Sequence, residues 1–180
     1  SLLVGGLEQL HIDSPSLDIR RSADGSWWIA GLPVSGSNNT DGRVADWLFS
    51  QPEIALLRGR VTWTDETRLV ESVVFDDVDL VIRNSLRGHA LRLDATPPAS
   101  WGQRLSARGI FKQPLLSRHE GQWQDWDGEA FVDLPQVHLA ELGRYVDLGV
   151  ALTRGEGAMR AWVDVVDGKP KGAVADVSLQ

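Results

Sequence analysis

Few side chains in this sequence have the types and spacing that metal binding or catalysis requires. His11 and Asp13 lie two residues apart in "HID", and Asp76, Asp77 and Asp79 cluster in "FDDVDL". Imidazole and carboxylate groups of this kind ligate metals in other proteins. Two short spacings on strand-like segments are nevertheless more typical of a solvated surface. We therefore expect neither a metal site nor a bound cofactor.

A nucleophilic or phosphate-binding enzyme also lacks its usual residues. His89, His119 and His138 fall in three different segments, and the chain contains no Cys. The sequence has no G-x-S-x-G elbow, and neither a dinucleotide fingerprint nor a phosphate loop occurs. We expect a protein without catalytic activity and without catalytic residues.

Tryptophan is the unusual component of the composition, with eight Trp against one Tyr. Trp123 and Trp126 lie in "EGQWQDWDGEA" beside two Asp residues, so an exposed Trp here would suit sugar stacking. A carbohydrate-binding β module is therefore one alternative. The other interpretation is a hairpin turn with one Trp packed inward.

Net charge and hydropathy argue against nucleic-acid binding, anionic-membrane binding and a membrane-spanning helix. The 180 residues carry a net charge of −7, whereas proteins that bind nucleic acid or anionic membranes usually have a basic excess. No apolar run reaches the roughly 18 to 20 residues of a membrane helix. The chain begins Ser-Leu-Leu-Val and its one Met is Met159, which predicts an excised piece of a longer protein.

The elements that would position any site are mostly strands, because apolar residues alternate with period two between Gly, Pro, Asp and Asn breaks. We predict a mainly β, largely antiparallel fold with two short helices. Its segments are an N-terminal β hairpin (1–32), a flexible loop (33–43), a helix with five strands (44–138) and a second, truncated helix and hairpin (139–180).

Two of these segments allow predictions about individual side chains. "SLDIRRSADGSWWIAGL" predicts a hairpin that turns at Asp24 and Gly25, with Trp27 and Trp28 on opposite faces. "DGRVADWLFSQP" predicts an amphipathic helix with Val44, Trp47 and Leu48 on one face, Asp41 as its cap and Pro52 as its stop.

An internal repeat supports this organisation. "IALLRG" at residues 54–59 returns as "VALTRG" at 150–155, and five residues recur 99 positions later, among them Trp63 as Trp162. The repeated unit is a helix followed by two strands. The match is topological only, since Trp162 opposes the apolar face of its strand whereas Trp63 lies on the apolar face.

Several strands are apolar on one side and polar on the other. Val78, Leu80 and Ile82 share a face, as do Leu91 and Leu93, and Leu105 and Phe111. Asp79, Arg92 and Arg108 lie on the opposite sides. Each stripe is either the core of a covered sheet or a surface that receives an apolar ligand, and the alternation alone does not choose between them.

Six stretches together resemble the YhdP branch of the AsmA-like proteins of Gram-negative bacteria. They are "SADGSWWIAGL", "ADWLFSQPEIALLRGRVTWTDE", "FDDVDLVIRN", "LDATPP", "LSARGIF" and "LTRGEGAMRAWVDVVDGKPKGAVADVSL". They cover nearly the whole chain and consist of strand and turn patterns.

The resemblance implies a piece of a long periplasmic protein, anchored in the inner membrane by a segment outside this chain. It implies a curved antiparallel sheet whose apolar groove shields phospholipid acyl chains on their way to the outer membrane, without enzymatic activity. The residues expected to face lipid are Val78, Leu80, Ile82, Leu91, Leu93 and Phe111.

The partners expected on this basis are lipid chains and neighbouring repeats of the same chain, with no nucleic acid. Open sheet edges would also allow two copies of an isolated piece to pair. A purely structural spacer that contacts no cargo remains the third interpretation.

Overall fold

The computed structural model describes residues 9–33, 46–117, 121–147 and 155–180, whose strands form one open, curved sheet. Within these residues the strands are β1 (Leu10–Asp13), β2 (Ser16–Arg21), β3 (Trp27–Ile29), β4 (Leu32–Pro33), β5 (Glu53–Asp65), β6 (Val73–Asn84), β7 (Gly88–Thr96), β8 (Leu105–Lys112), β9 (Asp127–His138), β10 (Glu156–Val166) and β11 (Lys169–Leu179). Residues 46–50 form helix α1, and α2 spans Leu139–Tyr145. A 3-10 turn covers Trp123–Asp125. The predicted mainly β fold with two short helices is confirmed.

The sheet is mixed, not purely antiparallel. Its order is β11-β10-β9-β8-β7-β6-β5-β2-β3-β4, and β1 pairs with β5 off this path. Both β1 and β2 run parallel to β5, along residues 54–57 and 60–65 respectively. Parallel neighbours need a crossover, and here it is the connection from β4 through α1 to β5. The prediction of a largely antiparallel sheet is confirmed, since every other pair of described strands is antiparallel and these two pairs are the exceptions.

Two bulges keep apolar residues on one face along the long β5–β6 hairpin. Arg58 and Asp77 have positive φ values of 54° and 47°, and the pairing register shifts beside each of them. A bulge inserts one residue, so the alternation changes parity there. Leu56 before the first bulge and Trp63 after it therefore point to the same side of the sheet.

Helix α2 packs on one face of the sheet, which we call the inner face. Leu139 is fully buried, and Leu142, Trp101 and Val137 are buried with it. The Tyr145 hydroxyl donates a hydrogen bond of 2.9 Å to the carbonyl of Glu71, in the β5–β6 connection. The helix that follows β9 thus reaches across to the start of β6. We call the buried side chains that pack together here the α2 cluster, which consists of Val73, Trp101, Leu134, Val137, Leu139 and Leu142.

The first helix covers the same face at the opposite ends of the strands. Phe49 contacts Trp126 and His89 with ring centroids 4.8 and 5.6 Å away. The His89 and Trp126 rings stack at 3.9 Å, and both residues are at least nine-tenths buried. Phe49 is therefore the residue that packs inward. Trp47, predicted to do so, is 48% exposed because the helix turns it away from the sheet.

The predicted N-terminal hairpin is confirmed. β2 and β3 pair antiparallel, and Trp27 contacts Trp63 while Trp28 lies beside Arg20. The two Trp side chains therefore lie on opposite faces. The loop predicted at 33–43 lies outside the described residues except for Pro33, as do Asp41 and Val44. The division of the chain into units stays a prediction.

The two helix and hairpin units differ in the detail that the sequence predicts. Trp63 lies on the inner face opposite Val73, whereas Trp162 is 44% exposed on the other side of the sheet, which we call the outer face. The second copy of the repeated phrase lies outside the described residues except for Gly155. The repeat therefore preserves the order of the elements but not the face on which equivalent side chains lie.

Candidate functional site

Between the two helices the inner face carries a strip of apolar side chains that crosses seven strands. Directly paired residues on adjacent strands project from the same side of a sheet, so the register defines the strip as two rows. The first row is Leu56, Leu80, Leu93, Ala107, Val132, Ala161 and Ala175, and the second is Ile54, Ile82, Leu91, Gly109, Ala130, Val163 and Ala173. We call these fourteen residues the inner strip. It contains no charged or hydrogen-bonding side chain.

The six residues predicted to face lipid all lie on the inner face. Leu80 and Ile82 pair with Leu93 and Leu91, Phe111 lies farther along β8, and Val78 alternates with Leu80. Val78 and Ile82 are 7% and 5% exposed, whereas the other four are only partly buried. Their shared face follows from the register. Contact with lipid stays a prediction.

Partial exposure continues along most of the strip. Ala107, Ala130, Val132, Ala161 and Val163 are partly exposed, which leaves their side chains accessible between the two helices. The strip extends over six interstrand spacings of roughly 4.8 Å, or about 29 Å. A bilayer's hydrocarbon core is about 30 Å thick and consists of two layers of acyl chains, so one chain is about 15 Å long. That length is about half the length of the inner strip.

The choice of six residues missed the small side chains of the strip. Ala107, Gly109, Ala161 and Ala173 contribute to it as directly as the leucines do. Small residues carry a weak apolar signal, and only their alternation with Arg108, Arg160 and Asp164 could have revealed them. β5 also contributes Ile54 and Leu56, from the repeated phrase itself.

The outer face of the sheet has the opposite character, with cross-strand ion pairs along its length. Arg60 and Asp76 lie 2.8 Å apart, Arg104 and Asp79 3.0 Å apart, and Arg83 and Glu53 3.1 Å apart. The hydrogen bond from Arg83 lowers the pKa of Glu53. Charge on one face and its absence on the other make the sheet amphipathic across its thickness.

Three of the four carboxylates considered as metal ligands are paired with arginines instead. Arg58 donates from Nε to Asp13 at 3.0 Å, and this bond holds the pKa of Asp13 below its ordinary value. Asp76 and Asp79 take part in the ion pairs with Arg60 and Arg104. In the described part of the chain, no group of three or more His, Asp or Glu side chains could hold a metal ion.

The described histidines do not come together. His11 lies 3.4 Å from Glu53, His138 lies 3.0 Å from Glu156, and His89 is buried with its Nδ1 2.7 Å from Asn84 Oδ1. His119 lies outside the described residues. Each described imidazole serves a different local contact.

The candidate sugar platform divides into two different environments. Trp126 is 5% exposed and stacks on His89, so it cannot offer an open ring face, and the alternative is wrong for that residue. Trp123 is partly exposed in the 3-10 turn. The inward-packed Trp expected from the hairpin interpretation is Trp126.

A comparison with protein families matches residues 6–180 to the family described as YhdP protein. The chain belongs to the YhdP family. Comparison with curated proteins and with solved structures gives no match. The YhdP family is a membrane-associated family of bacterial proteins. Within the described residues of this YhdP-family chain, no helix is long and apolar enough to cross a membrane.

Proposed function

We propose that this YhdP-family segment shields lipid acyl chains on its inner strip during phospholipid transport between the inner and outer membranes. The observation that carries the proposal is a continuous apolar surface across seven strands, most of whose residues remain partly exposed although Ile54 and Ile82 are buried. A soluble protein normally covers such a surface, and a contiguous exposed apolar patch marks an interaction site. Membership of a family of transport proteins supports the same conclusion.

The free energy available from burial is sufficient for this role. Each methylene group removed from water contributes roughly 0.8 kcal/mol, so covering about ten of them contributes on the order of 8 kcal/mol. No directional contact is needed for this. The inner strip has no polar side chain that would select a headgroup, so we expect it to accept acyl chains of several phospholipids.

The two helices define the lateral limits of the surface. The α2 cluster occupies one end of the strands, and the contacts of Phe49, His89 and Trp126 occupy the other. An acyl chain between them would lie across the strands, along the length of the inner strip. A periplasmic location and an inner-membrane anchor outside this segment belong to the same proposal.

The test is lipid mass spectrometry on protein purified without detergent. The double variant Leu80→Asp with Leu93→Asp places two carboxylates in the inner strip. The matched control, Val74→Asp with Ile110→Asp, places them at positions 36% and 67% exposed on the outer face. We expect phospholipid on the wild type and the control, and little on the inner-strip variant.

Circular dichroism separates loss of lipid from loss of fold. If the aspartate variant does not fold, Leu80→Asn with Leu93→Asn makes the same test without charge. Absence of lipid from every folded form would contradict the proposal and favour the structural spacer. Equal lipid on both double variants would place the bound lipid away from the inner strip.

A further inference from the structure

Among the described arginines, one on the outer face has no partner. Within the described residues, Arg108 has no ion pair, hydrogen bond or ring contact, although each of the other described arginines has at least one. It is exposed on β8. Its guanidinium group is therefore available to a carboxylate from another molecule.

The position of Arg108 does not serve the stability of the sheet. Its direct neighbour on β7 is Arg92, and like charges directly opposite each other destabilise a pair of strands. Arg92 is neutralised by Asp94 at 3.1 Å, which leaves Arg108 as the unbalanced charge. Its other cross-strand neighbour, Phe131 on β9, offers no countercharge.

Apolar side chains surround this arginine on a face that is otherwise charged. Ile110 is 67% exposed, Trp162 44% and Val174 66%. Phe131 pairs directly with Trp162, and their ring centroids lie 5.2 Å apart. We call Arg108 and these four residues the outer patch.

Beside Arg108 the surface is also concave. A depression of about 460 Å³ lies between β6 and β8, where the small side chain of Ala90 is flanked by Val81, Ile110 and Arg108. It has room for an apolar side chain next to the guanidinium group. The rest of the patch crosses three interstrand spacings to β11, or roughly 14 Å.

We propose that the outer patch docks a single segment of a partner protein, which carries apolar side chains and one carboxylate that pairs with Arg108. Trp, Phe and Arg are enriched at the centres of protein interfaces. A width of roughly 14 Å suits one strand or helix. This surface is separate from the inner strip, so the proposal does not depend on lipid binding.

The charges around the patch argue for a protein segment and against an anionic membrane. Glu129 and Asp164 lie in the neighbouring row on one side, whereas Asp133 on the other side is paired with Arg160 at 3.8 Å. Glu129 and Asp164 would repel a surface of many negative charges. A segment with one acidic residue at Arg108 and basic or neutral residues around it fits this pattern.

The experiment is selection from a phage-displayed library of random dodecapeptides, with the wild-type protein as bait. We expect the enriched peptides to share an Asp or Glu next to apolar side chains. For a synthetic peptide of that sequence, Arg108→Ala should weaken binding by about tenfold and Trp162→Ala by about thirtyfold or more. Arg60→Ala, at a paired arginine elsewhere on the outer face, is the matched control and should change little.

A charge reversal sharpens the test, because Arg108→Glu should reject the acidic peptide and accept its Lys counterpart. Failure to enrich peptides, enrichment of peptides without a carboxylate, or binding unaffected by both patch substitutions would overturn the proposal. Two further results would also overturn the proposal. One is binding of phosphatidylglycerol vesicles that is lost with Trp162→Ala and is not displaced by any peptide. The other is binding of cello- or chito-oligosaccharides with the same two properties. All substituted side chains are exposed, and circular dichroism checks that each variant folds.

Discussion

Replacing Leu139 with alanine tests whether the α2 cluster is the closed part of the inner face. Leu139 is fully buried and surrounded by Leu134, Val137 and Leu142. A buried Leu→Ala substitution costs 2–5 kcal/mol, and we expect about 3–4 kcal/mol here because the side chain has no exposed part. With 2–4 °C per kcal/mol for a chain of this size, the midpoint of thermal unfolding should fall by about 10 °C.

The matched comparison is Leu80→Ala, in the inner strip. Leu80 is only partly buried, so its truncation removes less surface from the protein interior and leaves no closed cavity. We expect a loss of about 1–2 kcal/mol, less than half that of Leu139→Ala. The same chemical change should thus have different costs at the two positions.

The assay is urea unfolding followed by Trp fluorescence, to which all eight Trp contribute, Trp101 in the α2 cluster among them. Each variant should shift the midpoint and leave the slope m unchanged, since the same surface is exposed on unfolding. Equal losses at the two positions would refute the reasoning. They would mean that the inner strip is closed core, with no surface left for a ligand.

Three further predictions concern other parts of the fold. The bulge holds Asp77 at a φ of 47°, a conformation that glycine adopts easily and valine does not. Asp77→Gly should therefore stabilise the protein by roughly 0.5–1 kcal/mol, and Asp77→Val should destabilise it by about 1–2 kcal/mol. Urea unfolding measures both changes, and a destabilising glycine would contradict the positive φ at this position. Ala161→Trp should displace lipid detected by mass spectrometry with a change in stability of under about 1 kcal/mol, since Ala161 is only partly buried on the inner strip. A large loss of stability would indicate a packed site. Burial raises the pKa of Tyr145 above 10, so its contribution to stability is complete below pH 10 and declines as the pH rises through the folded-state pKa. Tyr145→Phe should remove that decline, and ultraviolet titration reports this group alone because the chain has one Tyr.

Much of the sheet could be predicted because strand alternation is a local property. Leu80, Ile82, Leu91 and Leu93 share a face in the sequence pattern and in the register. The hairpin at Asp24 follows from its turn residues in the same way, whereas α2 begins after His138 without a side-chain cap. These features depend on residues close together in the chain.

The features that escaped prediction depend on residues far apart. The parallel pairing of β2 with β5 depends on the direction in which β5 runs beside β2 after the intervening segment. No local sequence pattern encodes that direction. The bulge at Asp77 left a trace, since Phe75 and Val78 have opposite parity yet share a face. Burial of His89 requires Phe49 and Trp126, which come from segments on either side of it.

The inner strip shows the limit of pattern reading at a candidate site. Alternation identified which residues share a face, but the exposure of that face depends on where α1 and α2 lie. Both helices sit at the ends of the strands and leave the middle accessible. A short apolar stripe in sequence is equally compatible with a covered core.

The most direct test of the central claim is site-specific photo-crosslinking in living cells. A benzophenone amino acid at position 93 places the probe on the inner strip, and the same probe at position 110 places it on the outer face of the neighbouring strand, within the full-length protein. We expect crosslinks to phospholipid from position 93 and none from position 110. Crosslinks to lipid from neither position, or equally from both, would contradict it.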